Sequence, residues 1–128
     1  MAMTYRTPVV LPMLLASSLA TVYTASLKGR SSTSAADEAV ALSITKATLC
    51  NTDSSARTAN VYIRPDNSSA TAKDAVRLAI PLAASGTAGD TYTLPEMVGR
   101  SLQTGWTIQA YASVASKVSF VVEAALVT

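Results

Sequence analysis

The sequence predicts an all-β protein: a single antiparallel β-sandwich, jelly-roll-like, with an extended N-terminal arm. Three observations carry the prediction. Apolar residues recur with period two in runs rich in Val, Ile and Thr, the signature of half-buried strands. Clusters of Gly, Asn, Asp and Ser separate those runs, and these residues reach turn conformations or bond their own backbone. A chain of 128 residues is one domain by length and hides roughly two-thirds of its unfolded surface.

The elements follow in order. Residues 1–12 read as the arm, because Pro8 and Pro12 interrupt the apolar run PVVLP and each removes a backbone donor. The domain is then 13–128, and Met13–Leu27 carries its first strand or strands. SAADEAVAL (Ser34–Leu42) is open to a helical reading, with Asp37 and Glu38 suited to a first turn. ALSITKATLC (Ala41–Cys50) reads as a strand on its β-branched content, although apolar residues fall on both parities. NVYIRP (Asn60–Pro65) alternates Val61 and Ile63 with Tyr62 and Arg64. VRLAIPL (Val76–Leu82) places Val76, Leu78, Ile80 and Leu82 on one face. Pro81 fits only an edge strand there.

After loop glycines comes a short strand, TYTL (Thr91–Leu94), and then PEMVGR (Pro95–Arg100), which reads as a single helical turn with Pro95 at its first position and Gly99 as its stop. SLQTG (Ser101–Gly105) reverses the chain into WTIQAYAS (Trp106–Ser113). The loop VAS (Val114–Ser116) then leads to KVSFVVEAALVT (Lys117–Thr128), as if closing a hairpin.

Composition narrows the function. Charged residues are 14% of the chain, against about 25% in a typical soluble domain. A lightly charged surface suits a protein held against neighbours, so a homo-oligomer is expected. The net charge is +2 and the ten Lys and Arg are scattered. Without a basic strip there is no basis for nucleic-acid binding. No apolar run is long enough for a membrane helix. The chain has one cysteine, Cys50, and no histidine, so it lacks the ligands of a zinc site and the commonest general base. The carboxylates lie mainly in loops, and neither a phosphate loop nor a nucleophile elbow is present. The expectation is a non-enzyme that needs no cofactor or metal. Cys50 reads as a small buried hydrophobe, and Glu96 as an anchor of the PEMVG turn.

The start of the chain matches a secretion signal loosely, with Arg6, an apolar run and small residues. The two prolines break that run as a helix, and TVYTA (Thr21–Ala25) reads as strand. The expectation is therefore a protein not exported through a signal peptide.

The C-terminal half carries a more specific pattern. Gly89, Asp90, Thr91, Tyr92, Leu94, Glu96, Met97, Val98, Gly99, Leu102, Gly105, Ile108, Ala110, Ala112 and Ser113 stand in an order and spacing that resembles a family of small structural proteins of tailed bacteriophages. ITKATLCNT (Ile44–Thr52) and TVYTA resemble earlier elements of the same family. The chain departs from it after TVYTA, where a longer SLKGRSSTSAADEA replaces a short bend. The resemblance covers most of the chain. It implies a β-sandwich that is part of a virion assembled in the host cytoplasm. The expected role is capsid decoration or cement, bound to major capsid subunits, with a neck, collar or tail accessory protein near the portal as the alternative. A carbohydrate-binding module of a tail fibre is a further alternative.

The candidate contact residues follow. Tyr5, Arg6, Val9, Val10 and Leu11 lie in the arm. Tyr62 and Tyr111 fall on the strand parity opposite Val61, Ile63 and Ile108, and so face outward. Trp106, the only tryptophan, is either core or an interface anchor.

Overall fold

The structure is a computed structural model that describes residues 5–25 and 41–127. The arm's first four residues, and most of the segment open to a helical reading, lie outside the described residues; from Ala41 onward the chain is strand.

The strands are β1 (Tyr5–Leu14), β2 (Ala20–Thr24), β3 (Ala41–Asn51), β4 (Arg57–Arg64), β5 (Ala75–Leu82), β6 (Thr91–Thr93), β7 (Ser101–Leu102), β8 (Thr107–Ala112) and β9 (Val118–Val127). The first sheet has the order β1-β9-β3-β6, with β7 also on β3; the second has the order β2-β8-β4-β5. All pairings are antiparallel. With β7 set aside, the contacts β1·β9, β2·β8, β3·β6 and β4·β5 nest inside one another like a single long hairpin. Rolling that hairpin adds β3·β9 and β4·β8 and closes it into two packed sheets. This is the jelly roll, in which eight strands form two Greek keys.

The inward faces of both sheets meet in one core. Phe120, Leu49, Ile44 and Leu42 of the first sheet pack with Val61, Ile80, Leu82 and Ile108 of the second, all essentially without solvent exposure. Leu94 and Met97 are equally buried, so the PEMVG turn closes one flank of the sandwich. Its bonds run from Val98 N to Pro95 O and from Arg100 N to Met97 O, giving consecutive turns rather than a helix, and Gly99 has φ +85°.

Two bulges correct the simple alternation. In β3 the register with β9 shifts between Ile44 and Lys46. Leu42 and Ile44 face inward before the shift, Ala47 and Leu49 after it, which is why both parities of ALSITKATLC are apolar. In β5 the register with β4 shifts between Ala59 and Val61. There Ala79 has φ +52° and donates its N–H to Asn60 Oδ1 at 2.9 Å. The extra residue turns Leu78 outward, where it is 47% exposed, so it does not share the inward face of Ile80 and Leu82.

Two further expectations change. β8 and β9 lie in different sheets, so Val114–Ser116 crosses the sandwich instead of closing a hairpin. The stretch set apart as an arm is extended, but Tyr5–Leu14 pairs along β9. It forms an edge strand of the first sheet. Leu15 N donates to Val118 O at 2.9 Å, which puts the odd residues of β1 in bonding register with β9 and turns the even residues' N–H groups toward the free edge. Pro8 and Pro12, opposite Ala125 and Val121, are even. They delete two donors that a further strand would need. β5 is likewise an edge strand and carries Pro81, as its proline required.

Candidate functional site

The outer face of the second sheet carries the most elaborate polar structure. Thr107 and Gln109 point away from the core, yet are 0% and 2% exposed. The segment after β4 folds back over them as a strap spanning 65–74. Thr107 Oγ1 donates to Asp66 O at 2.8 Å, Gln109 Nε2 to Ser68 O at 2.8 Å, and Ala70 N to Gln109 Oε1 at 2.9 Å. Arg64 grips both ends of the strap, through Asp66 at 3.0 Å and Asp74 at 2.9 Å. The Ser68 hydroxyl, and after it Arg64, pull the Asp66 carboxyl down to about 2. Asp74 is lowered too, first by the Thr71 backbone N–H and then by Arg64.

The sign of the pH effect follows. Unfolded Asp titrates near 3.9, and a depressed folded pKa gives stability that is complete above that value and lost as pH falls toward 2. The Ala70 amide is expected to lose exchange protection between about pH 4 and 2, while the Ile108 amide in the core keeps its own. Amide exchange followed by NMR checks this.

Tyr62 and Tyr111 meet beside the strap, with ring centroids 6.3 Å apart and planes 15° from parallel. They face outward as expected, but Tyr62 is only 9% exposed and Tyr111 is half-buried. Burial, then its contact with Tyr111, raises the Tyr62 pKa. The pair is a packed contact and offers no open aromatic platform of the kind a sugar ring stacks on.

The outer face of the first sheet differs. Along β1, Val10 and Leu14 are 51% and 53% exposed, with exposed Pro12 between them. Half-buried Val121 lies beside Pro12 on β9. Leu11 has the opposite parity and is half-buried. Tyr5, Arg6 and Val9 lie on the same strand; their side chains fall outside the described residues. Trp106 is half-buried against the core before β8, away from both outer faces. The structure thus brings Tyr62 and Tyr111 together, and Val10 with Leu14, but it does not gather all the candidates at one place.

At the end of the sandwich where the β3–β4, β5–β6 and β8–β9 loops lie, an open cleft of about 500 Å³ is lined by Ala56, Arg57, Thr58, Pro81, Leu82, Ala83, Gly89 and Ser113. Asn51, 0% exposed, organises this end. Its Nδ2 donates to Ser55 O and Ala83 O, both at 2.9 Å, and its Oδ1 accepts the Asp53 N–H at 2.9 Å. Asp53 in turn holds Arg57, with Nε 2.6 Å from its Oδ2. Asn51→Leu orphans two carbonyls and one amide, and is expected to cost about 2–4 kcal/mol; a urea melt measures it. Sequence reasoning missed Asn51 because Asn before a turn is ordinary. The only sequence signal is its place in ITKATLCNT.

The flank holds the remaining polar cluster. Arg77 reaches Glu96 at 3.2 Å and lies 5.6 Å from the centre of the Tyr92 ring. Tyr92 Oη donates toward the Glu96 carboxylate at 3.4 Å. Glu96 therefore ties the PEMVG turn to β5 and β6, an anchoring role. Cys50 is half-buried on the outer face of β3 and accepts the Thr91 hydroxyl at 3.5 Å, so it is less enclosed than a core hydrophobe. Among the described residues no three His, Cys, Asp or Glu side chains gather as a metal site requires, and no helix is long and apolar enough to cross a membrane. Comparison of the chain with protein-family profiles, curated protein sequences and solved structures finds no match.

Proposed function

We propose that this chain is a non-enzymatic structural protein of a tailed-phage virion, a capsid decoration or cement protein that stabilises the particle by covering neighbouring subunits. One observation supports a contact role above others. Val10, Pro12 and Leu14 expose an apolar row on the outer face of β1, while Pro8 and Pro12 block strand addition at its free edge. That combination suits a face covered by a partner's side chains better than an edge extended by another strand. The likeness of the C-terminal pattern to phage structural proteins supplies the kind of partner, namely major capsid subunits or those near the neck.

The test uses heads lacking this protein. Purified protein is expected to bind them and raise their resistance to heat, and Leu14→Glu to weaken binding about tenfold or more, since a buried carboxylate must be paired or pay for desolvation. Wild-type protein that leaves head stability unchanged overturns the reading. Copy number in intact virions separates decoration, present in hundreds of copies, from a neck position with about a dozen.

A further inference from the structure

The cleft at the loop end combines an apolar lining with hydrogen-bond donors that the chain itself leaves unused. Ala56, Pro81, Leu82 and Ala83 supply the apolar lining. Asn51 fixes its shape by holding Ala83 O at 2.9 Å. A volume of about 500 Å³ falls in the range of binding sites, which are mostly apolar with a few placed polar groups.

Here the polar groups are donors. The Ser113 hydroxyl accepts the Thr58 N–H at 3.1 Å and keeps its own proton to give. Arg57 lines the cleft with its side chain 30% exposed. Asp53 Oδ2 takes the Arg57 Nε at 2.6 Å and its Nη2 at 2.5 Å, while Nη1 has no partner among the described residues. The other Asp53 oxygen accepts the Ser54 N–H at 2.8 Å, so that carboxylate is fully engaged.

A second cation stands beside this pair. Lys117 is exposed and makes no ion pair among the described residues. Its carbonyl accepts the Thr52 N–H at 2.8 Å, which sets it next to Asp53, and its charge acts on Asp53 behind the stronger pull of Arg57. Two cations against one carboxylate leave this side of the cleft with a positive charge in excess. Asp90 is not a lining residue, and its two oxygens already accept the Gly86 N–H at 3.0 Å and the Thr91 hydroxyl at 3.2 Å. Apolar walls under unused donors and an excess cation suit an apolar group that carries a carboxylate. The cleft is open, so a main chain can run on past the side chain that it holds.

We infer that this cleft docks an extended peptide segment of a partner protein, with one large apolar side chain seated over Leu82 and Ala83 and an adjacent Asp or Glu meeting Arg57 and Lys117. The inference goes beyond the virion reading and uses none of the β1 row, so either can fail without the other.

Peptide titrations followed by amide NMR test this. The probe is the acetylated, amidated tetrapeptide Gly-Leu-Glu-Gly. It is expected to give saturable shifts at the Arg57, Ala83, Gly89 and Ser113 amides. Lys in place of its Glu is expected to weaken binding about fivefold, and Ala in place of its Leu about tenfold. Lys117→Glu in the protein is expected to weaken binding of the Glu peptide about fivefold, with the Ile108 and Phe120 amides unmoved to establish that the variant is folded. Absence of saturable shifts at the cleft overturns the inference, as does a Lys peptide that binds as well as the Glu peptide, or a Lys117→Glu protein that binds like wild type. The free acid 4-methylpentanoate carries the same apolar group and a carboxylate without a peptide. If it binds as tightly as the tetrapeptide, the site is one for small acids and the peptide assignment is wrong.

Discussion

Removing residues 2–12 is expected to leave a chain that aggregates rather than a folded sandwich without its arm. β1 pairs with β9 from Tyr5↔Val127 to Leu14↔Ser119, so the deletion strips most of that ladder. β9 then becomes the edge of the first sheet. It is ten residues long, VSFVVEAALV, with no proline and one charge, Glu123. A long, nearly uncharged edge of high β-propensity is a template for pairing with other chains. The strand that protects it carries two prolines at its donor-facing positions, so β1 does for β9 what β9's own residues do not. Leu11 is lost with the segment and uncovers part of the inner face beside Val122. Light scattering during refolding measures the outcome. A truncated protein that stays soluble and melts with the wild-type midpoint would sink the idea that β1 belongs to the fold. Pro8→Val with Pro12→Val tests the other half of the argument. That variant keeps the strand and restores two outward donors, and is expected to fold yet associate through its edge.

Much of the sandwich was legible because burial imposes a period. NVYIR and WTIQAYA alternate without interruption, and in both the residues read as inward, Val61, Ile63, Ile108 and Ala110, are the ones that pack into the core. Where a strand takes an extra residue, the period fails locally. Thr45 and Ala79 each reset the alternation, and nothing about a threonine or an alanine announces a bulge. Prolines were half legible. Pro81 correctly demanded an edge. Pro8 and Pro12 obey the same rule, yet two prolines four residues apart also look like an arm, and only the pairing partner tells the two readings apart. The assignment of strands to sheets was not legible at all. β8 and β9 are adjacent in sequence, separated by a hairpin-length loop, and still belong to opposite sheets, because each finds a better partner far away in β4 and β3.

The candidate surfaces were less legible than the fold. Parity placed Tyr62 and Tyr111 outward, but outward is not the same as exposed. The strap covers that face through Thr107 and Gln109, two polar residues whose parity gave no hint of burial. The apolar row on β1 is legible at Val10 but not at Leu14, because the prolines set the end of the arm at Pro12. The cleft rests on Asn51, whose three hydrogen bonds reach from the end of β3 into two loops. A side chain that works by joining distant backbone groups has no local signature.

Phe120→Ala is expected to be the most damaging single substitution among the described strands. Phe120 is the only phenylalanine and is 0% exposed. It stands opposite Leu49 on one side and Met13 on the other, in the middle of the inner face of β9. Truncating a buried Phe to Ala loses transfer free energy and leaves a cavity, at about 3–5 kcal/mol. A domain of this size has about 5–15 kcal/mol in all, so the midpoint should drop by about 10–20 °C. The strands paired on either side, β1 and β3, leave the site little room to collapse, which favours the upper part of that range. The neighbouring change is the control. Val121 has the opposite parity, half-buried on the outer face opposite Pro12 and Thr48. Val121→Ala is expected to cost about 1 kcal/mol or less. Paired thermal melts of the two variants therefore read the register of β9 directly. A slip of one residue exchanges the faces of the strand, and would make Val121→Ala the more costly of the two.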